Sequence, residues 1–444
     1  MTVGGEFWVP DTPERRVRGE FVVSDELQVS LQGGLVDDPL VRPSGTGWAL
    51  IASASKTVES FLPVTIHGEL ESGQIVTLLD GQNYGGHPPF GQPLYKAHMV
   101  LRGAHVMTNQ QYRAVRFRLG HPYWLGHLNS APPVAVEDDN STLAIDSADE
   151  AANWLVYEAA VPMTLRQLEM RVVTACRVLA ELALHVEIDE REMELRIDPL
   201  GEWLTVLSAD TDDMESGRLD PDSLLPREEL TVERFAAWIA LDHRLDGLAA
   251  AVARKQTGPL QVLAPVATSV LEGLHRRLPY SQSKFPSDSR AALKRVRRAA
   301  ADAARAQAAS EGLDAELVAA SLAFFGEVSF RDRATEVVSV VSAAVPEIAE
   351  SVPNLPALLT ETRNELAHHL IPDEVREPLE ARYLRWILVS TVTPWLLRCL
   401  LLLHAGVDPN VLHERLLMSK RFEMQRANTA QHVKELAESR STPS

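Results

Sequence analysis

The hydrophobic period of this chain changes once, and that change restricts its fold more than any other feature. Up to about residue 210 the apolar residues come in short alternating runs such as "GEFVV", "ELQVSLQGGL", "VTIHGEL", "QIVTLLDG" and "YRAVRFRLG", punctuated by glycine and proline. A period of two with tight turns is the signature of strands. Past the acidic, turn-rich stretch "TDDMESGRLDPDSLLPREEL", runs such as "VERFAAWIALDHRLDGLAAAVA" and "EVREPLEARYLRWILVSTVTPWLLRCLLLLHAG" carry apolar residues every three to four positions. That is the period of helices. The two textures predict an α+β chain: a β-rich region over 1–228 followed by an all-α helical region over 229–440. Within the first, two lobes are expected, 1–135 and 150–210, separated by the acidic linker "AVEDDNSTLAIDSADEAANW". The second lobe would hold a helix, "TLRQLEMRVVTACRVLAELAL", and strands "HVEID", "EMELRID" and "EWLTVLS".

At 444 residues the chain has room for two or three cores. Cys176 and Cys399 are its only cysteines, too isolated for a disulfide framework or a cysteine zinc site, which suits a reducing cytoplasm. The N-terminus "MTVGGEFWVPDTPERR" has no apolar core of a secretion signal. The run "WILVSTVTPWLLRCLLLL" is interrupted by Pro394 and Arg398, which leaves less than the ~20 residues of a span and predicts a buried bundle helix rather than a membrane contact. The glycines of "DGQNYGGHPPFGQP" lack the lysine of a phosphate loop, so no nucleotide cofactor is expected. His87, His98, His105, His121 and His127 have no carboxylate or cysteine at ligand spacing, so no metal site is expected either. Trp8, Tyr84, Tyr112, Tyr123 and Trp124 could line a recognition surface, but aromatic core packing is the default expectation for them.

A net charge of −18 opposes binding to nucleic acid at long range. One run goes the other way, from Arg276 and Arg277 through Lys284, Arg290, Lys294, Arg295, Arg297 and Arg298 to Arg305. A phosphate-binding patch and a solvated helix face fit that run equally well.

The stretch "ETRNELAHHL", residues 361–370, gathers the remaining chemistry. Thr362 and Glu365 have capping-box spacing, which predicts a helix opening at Thr362 with Arg363 and Asn364 in its first turn. A helix N-terminus beside an arginine can hold phosphate. Arg363 and His368 are five residues apart, about 140° around a helix, so one copy does not aim both at one atom. Two copies meeting across a symmetric interface would. The chemistry such a set permits is metal-free RNA cleavage, with histidine moving protons and arginine stabilising charge on phosphorus oxygens. On local composition alone, a histidine that merely hydrogen-bonds within a half-buried helix is the simpler account.

The string "RNELAHH" in a C-terminal helical region resembles the R-N-x-x-x-H motif of HEPN-domain ribonucleases, and "LEGLHRRL" upstream is similar to the first core helix of their ApeA-like branch. The N-terminal "GEFWVPD" with its glycine-punctuated strands resembles the N-terminal region of the same anti-phage proteins. The resemblance spans nearly the whole chain and is strongest over 232–440. It implies Arg363 and His368 as catalytic residues, Asn364 as a polar residue orienting them, and a position near the cleft for Glu272. His369 is a histidine the family pattern does not require. Glu272 also fits a plain i,i+4 pair with Arg276. The implied function is a cytoplasmic, homodimeric endoribonuclease of abortive infection that cuts RNA, tRNA in particular, after an unknown phage trigger is sensed by the N-terminal region. Arg276, Arg277, Lys294, Arg295, Arg297 and Arg298 would contact the RNA. The alternatives are a non-catalytic HEPN regulator that binds nucleic acid or nucleotide, and a ligand-binding β module with a helical dimerisation domain.

Overall fold

The computed structural model describes residues 2–441 apart from 25, 36–40, 45–46, 51–61, 87–90, 121–124, 129–131, 138–139, 148–152, 189, 209–221, 286–288, 323–325 and 369–377; for 41–44, 47–50, 190–191 and 366–368 it describes the backbone alone. The fold is α+β, with the strands first and the helices after them. The chain divides into two compact units, one of Met1–Pro221 with Pro226–Ala240, the other of Asp222–Leu225 with Leu241–Ser444.

The first unit is built on a 13-stranded antiparallel sheet. Strands β1 (Thr2–Trp8), β2 (Val17–Val23), β3 (Leu27–Leu31), β6 (Val64–Leu70), β7 (Ile75–Asn83) and β8 (Leu94–Ala97) pair in the order β7-β6-β1-β2-β3-β8, and the end of β7 returns to pair with β8. That last pairing closes six strands into a small barrel, which removes two exposed edges. A separate hairpin is formed by β4 (Val41–Ser44) and β5 (Gly47–Leu50). The alternation read in the sequence supplies the barrel's filling, since Phe7, Phe21, Val29, Leu31, Ile66, Val76 and Leu78 share one buried cluster. Gly68 is required there: a Cβ on it would meet the Phe7 ring at 2.6 Å.

From β7 the sheet continues outward through β9 (Met99–Arg102), β15 (Leu204–Ser208), β14 (Glu190–Arg196), β10 (Gln111–Leu119), β13 (Trp154–Thr164), β12 (Thr142–Asp146) and β11 (Val134–Ala135). The stretches 1–135 and 150–210 are therefore interleaved in one sheet, with β10 between β13 and β14. The expected acidic linker is itself partly strand, because β11 and β12 pair at the sheet edge against β13. The expected strand "HVEID" is a turn up to residue 188: His185 ends the preceding helix in the left-handed region at φ 55°, and the Ile188 N–H donates to the Glu181 carboxylate. Helix α1 (Leu165–Leu168) runs through a π-turn, Glu169–Val173, into α2 (Thr174–Leu184), which buries Cys176, Leu179 and Leu182.

One face of this outer sheet carries a ladder that strand-by-strand reading does not reveal. Arg118 and Arg116 lie over the Trp154 ring at 4.1 and 4.7 Å, while Arg116 and Arg196 lie over Trp203, both at 4.7 Å. Each arginine also holds a carboxylate, Glu192 for Arg118, Glu194 for Arg116 and Glu158 for Arg196. Residues two apart share a strand face, so alternating arginines on β10 opposite alternating glutamates on β14 build the stack directly.

The helical unit takes in the end of α3 (Val232–Leu245), then α4 (Ala250–Ala253), α5 (Leu260–Arg277), α6 (Arg290–Ser310), α7 (Ala315–Ser321), α8 (Phe330–Ala344), α9 (Pro346–Glu350), α10 (Leu355–His368), α11 (Leu379–His404), α12 (Pro409–Met418) and α13 (Lys420–Ser441). The apolar run does not break at Pro394, as its sequence suggests; it is one continuous helix, α11, long and apolar enough by length and composition to cross a membrane. It is mostly buried against α5, α8, α10 and α13, as the central helix of a bundle. Its buried Arg398 donates to the carbonyls of Val252 and Ala253, the otherwise unsatisfied end of α4. In contrast, α6 buries only Ala308 and pairs with α7.

Candidate active site

The helix that carries Arg363 opens earlier than its capping-box spacing suggests. The Asn354 carbonyl accepts from the N–H groups of Ala357 and Leu358, and Pro356, whose missing N–H costs nothing in a first turn, follows. Thr362 is thus buried inside α10 rather than capping it, and Arg363 lies in its third turn. No helix N-terminus adds to Arg363, so any anion there must be held by side chains. Glu365, freed of the capping role, forms an ion pair with Arg382 at 2.8 Å and accepts a hydrogen bond from Arg385 at 2.6 Å, both on α11. Two residues turn a helix by about 200°, so Glu365 ties one side of α10 to α11 while Arg363 is presented on the other.

That other side faces α5. An Arg363 guanidinium nitrogen lies 3.5 Å from Glu272 Oε2, and its carbon lies 5.7 Å from the centre of the Phe330 ring. Arg276, one turn beyond Glu272, donates through Nε and Nη2 to Glu272 Oε1 at 3.2 and 2.8 Å. The i,i+4 pair expected of Glu272 is present, and Arg363 shares the same carboxylate. Burial works to raise the Glu272 pKa, but the hydrogen bond and charge of Arg276, with the charges of Arg363 and Arg333, hold it below the usual carboxylate range. Pro265, Thr268, Ser269 and Gly273 complete a cleft of about 440 Å³ around Glu272, Arg276 and Arg363. Two partly exposed guanidiniums sharing one carboxylate in an open cleft can turn to a phosphate while giving up little more than that shared ion pair.

Asn364 is exposed beside Arg363. His368 closes α10, while its side chain and the whole of His369 lie outside the described residues. The basic run is less uniform than it reads. Arg277 pairs with Asp246 at 3.4 Å, Lys284 with Asp332 at 3.4 Å, and Arg305 with Asp302 and Glu316 at 3.0 and 2.9 Å. Lys294, Arg295, Arg297 and Arg298 are exposed on the first half of α6, and among the described residues Lys294, Arg295 and Arg298 have no ion-pair partner. The patch therefore narrows to that half-helix.

Of the N-terminal candidates, His87, His121, Tyr123 and Trp124 lie outside the described residues. Trp8 is buried against His105, which stacks on His67 with ring centres 4.7 Å apart, and each imidazole engages a backbone carbonyl, Val106 for His67 and Gly68 for His105. Among the described residues no three His, Cys, Asp or Glu side chains are grouped as a metal site.

The architecture is that of a β-barrel-bearing unit coupled in sequence to a helical unit with an arginine-lined cleft. Residues 3–147 match the family model of ApeA N-terminal domain 1. The match covers the barrel and runs on to β12, and it stops short of the helical unit. No curated protein and no solved structure matches the chain.

Proposed function

We propose that the chain is a metal-independent HEPN endoribonuclease of anti-phage defence. The observation that supports it best is Arg363 of the "RNELAHH" helix, placed in an open cleft with Glu272 and Arg276, behind a domain similar to that of ApeA. In this reading a histidine takes the proton of a ribose 2′-hydroxyl, the 2′-oxygen bonds to phosphorus, the P–O5′ bond breaks, and the leaving oxygen is protonated. The products are a 2′,3′-cyclic phosphate and a 5′-hydroxyl. Arg363 stabilises the charge that builds on the non-bridging oxygens, Asn364 orients the pair, and His368 moves the protons, with His369 an additional histidine beside it.

Arg363 and His368 are about 140° apart around α10 and roughly 7.5 Å apart along it, so two copies facing each other across one cleft form the working unit. The substrate is RNA, tRNA in particular, in the cytoplasm, and the N-terminal unit answers to the phage trigger. The test is incubation of the purified full chain with total RNA. Defined cleavage fragments are expected; intact RNA bound without cleavage would favour the regulator reading, to which the exposed α6 cations also lend themselves.

The first half of α6 supplies the long-range phosphate contacts that a chain of net charge −18 otherwise lacks. Replacing Lys294, Arg295, Arg297 and Arg298 by alanine should weaken RNA binding and lower the slope of log affinity against log salt by about one for each phosphate no longer neutralised. An unchanged slope would place the RNA path elsewhere.

A further inference from the structure

Behind Glu272 lies a cation that the mechanism above does not use. Ser329 caps α8 in a reciprocal box with Asp332, and the next residue, Arg333, points inward and is only 1% exposed. Its Nη1 donates to His275 Nδ1 at 3.1 Å and to the side-chain oxygen of Gln282, both neutral acceptors. Its Nε has no hydrogen-bond partner, and among the described residues no carboxylate lies within ion-pair distance of it. Glu336, which could have paired with it, is taken by His275 Nε2 at 2.8 Å. An imidazole that accepts at Nδ1 and meets a carboxylate at Nε2 is neutral with its proton on Nε2. Burial lowers the His275 pKa, Arg333 and Arg276 adding to the effect and Glu336 opposing it, so the neutral form is favoured. Tyr280 stacks on the same ring, with centres 4.9 Å apart, and fixes its plane.

A guanidinium buried against neutral groups is a poor way to gain stability, since an apolar side chain of similar volume fills such a site at no desolvation cost. Its place behind the cleft is fixed by geometry: His275, which Arg333 holds at 3.1 Å, precedes Arg276 and lies three residues, about one turn, after Glu272 on α5, so the charge of Arg333 is felt at both, as are those of Glu327 and Glu336 at Arg333. Among the described residues the carboxylate at contact distance from both Arg276 and Arg363 is Glu272. A phosphate entering between those two arginines meets the negative charge of Glu272 at short range.

We propose that Arg333 is a positioning residue of the cleft: a buried charge, set in place by His275 and Gln282, that offsets the repulsion between Glu272 and a bound RNA phosphodiester. Glu272 can then continue to orient Arg276 and Arg363 while the phosphate is held by them. Arg333 touches neither the phosphate nor the reacting atoms. The inference rests on the reading of the cleft as the RNA site, and its test is made on binding so that it can fail separately.

The full chain is titrated with a 2′-O-methyl RNA oligonucleotide, which lacks the attacking hydroxyl, and binding is followed by fluorescence anisotropy. Arg333→Met should weaken binding about fivefold, Arg333→Lys should restore most of it, and Lys434→Ala, a surface cation on α13, should change nothing. The decisive combination is Arg333→Met with Glu272→Gln, because removing the carboxylate removes the need for the buried cation: affinity should return to the wild-type level or above. Should Arg333→Met fail to fold, Glu272→Gln alone carries the test, with tighter binding than wild type expected and equal or weaker binding overturning the proposal. Wild-type affinity in a folded Arg333→Met protein, while the wild-type chain cleaves RNA, defeats this inference and leaves the nuclease standing. Binding that follows the predicted pattern without cleavage by the wild type defeats the nuclease and leaves the phosphate site.

Discussion

Replacing Arg363 or His368 by alanine is expected to abolish RNA cleavage and the growth arrest that follows from it, while the fold survives. Loss of general acid–base transfer alone is worth ~10²–10⁴-fold, and loss of a donor aimed at developing charge about 10²–10³-fold. The stability cost at Arg363 is small, because its side chain is one-third exposed (33%) and its ion pair with Glu272 is long, at 3.5 Å; such pairs contribute about 0–1 kcal/mol. His369→Ala is the control, and it should retain activity if His368 is the proton carrier. Rates on a fluorescent RNA, read beside thermal melts of the same preparations, check both halves. A melt that collapses in Arg363→Ala would make the residue structural.

Glu365→Ala should produce the opposite profile. Its carboxylate is the shared partner of Arg382 and Arg385, whose side chains are 13% and 6% exposed. Removing it takes away the carboxylate that two mostly buried guanidiniums share, and breaking such a pair from one side costs roughly 3 kcal/mol or more. The helical unit should melt several degrees earlier, and cleavage should fall because α10 no longer holds its angle on α11. Glu365→Gln should recover part of the stability by accepting one hydrogen bond. Urea unfolding, analysed as two transitions because the chain has two units, locates the loss. An unshifted helical transition would mean that α10 is held by its apolar face alone, through Leu355 and Leu359.

These two substitutions sit two residues apart and separate chemistry from anchoring, which the sequence only half reveals. The local parts were legible: period-two runs became β2, β3, β6, β7 and β10, period-three-to-four runs became helices, and the Glu272–Arg276 pair follows from i,i+4 spacing. What failed to be legible depends on residues far apart in the chain. Closure of the barrel needs Gln82 and Asn83 of β7 to find Lys96 and Tyr95 of β8, a pairing that no single strand's alternation encodes. Interleaving of β9 and β10 with β13, β14 and β15 likewise hides the single sheet behind a textural break.

The misplaced start of α10 has a different cause. Thr362 and Glu365 satisfy a local capping rule, yet "PNLP" just upstream offers Asn354 and Pro356 as an earlier start, and burial of Leu358 and Leu359 extends the helix through Thr362. The "HVEID" stretch alternates like a strand, but the Glu181 carboxylate captures its Ile188 N–H. In the candidate site, Arg363 meets Glu272 and His275 meets Arg333 across long separations in the chain, so their types were visible and their partnership was not. Among the described residues Arg276, Arg277, Lys284 and Arg305 gain a carboxylate from elsewhere or from their own helix turn, which is why the uniform basic run of the sequence narrows to half a helix.

The central claim is that the attacking group belongs to the substrate, positioned by the Arg363 helix. The measurement that tests it most directly is end-group analysis of RNA cut by the purified full chain in excess EDTA. The account predicts undiminished cleavage with 2′,3′-cyclic phosphate and 5′-hydroxyl ends, absent in the Arg363→Ala protein. Strict dependence on magnesium with 5′-phosphate ends, or full activity in Arg363→Ala, would contradict it.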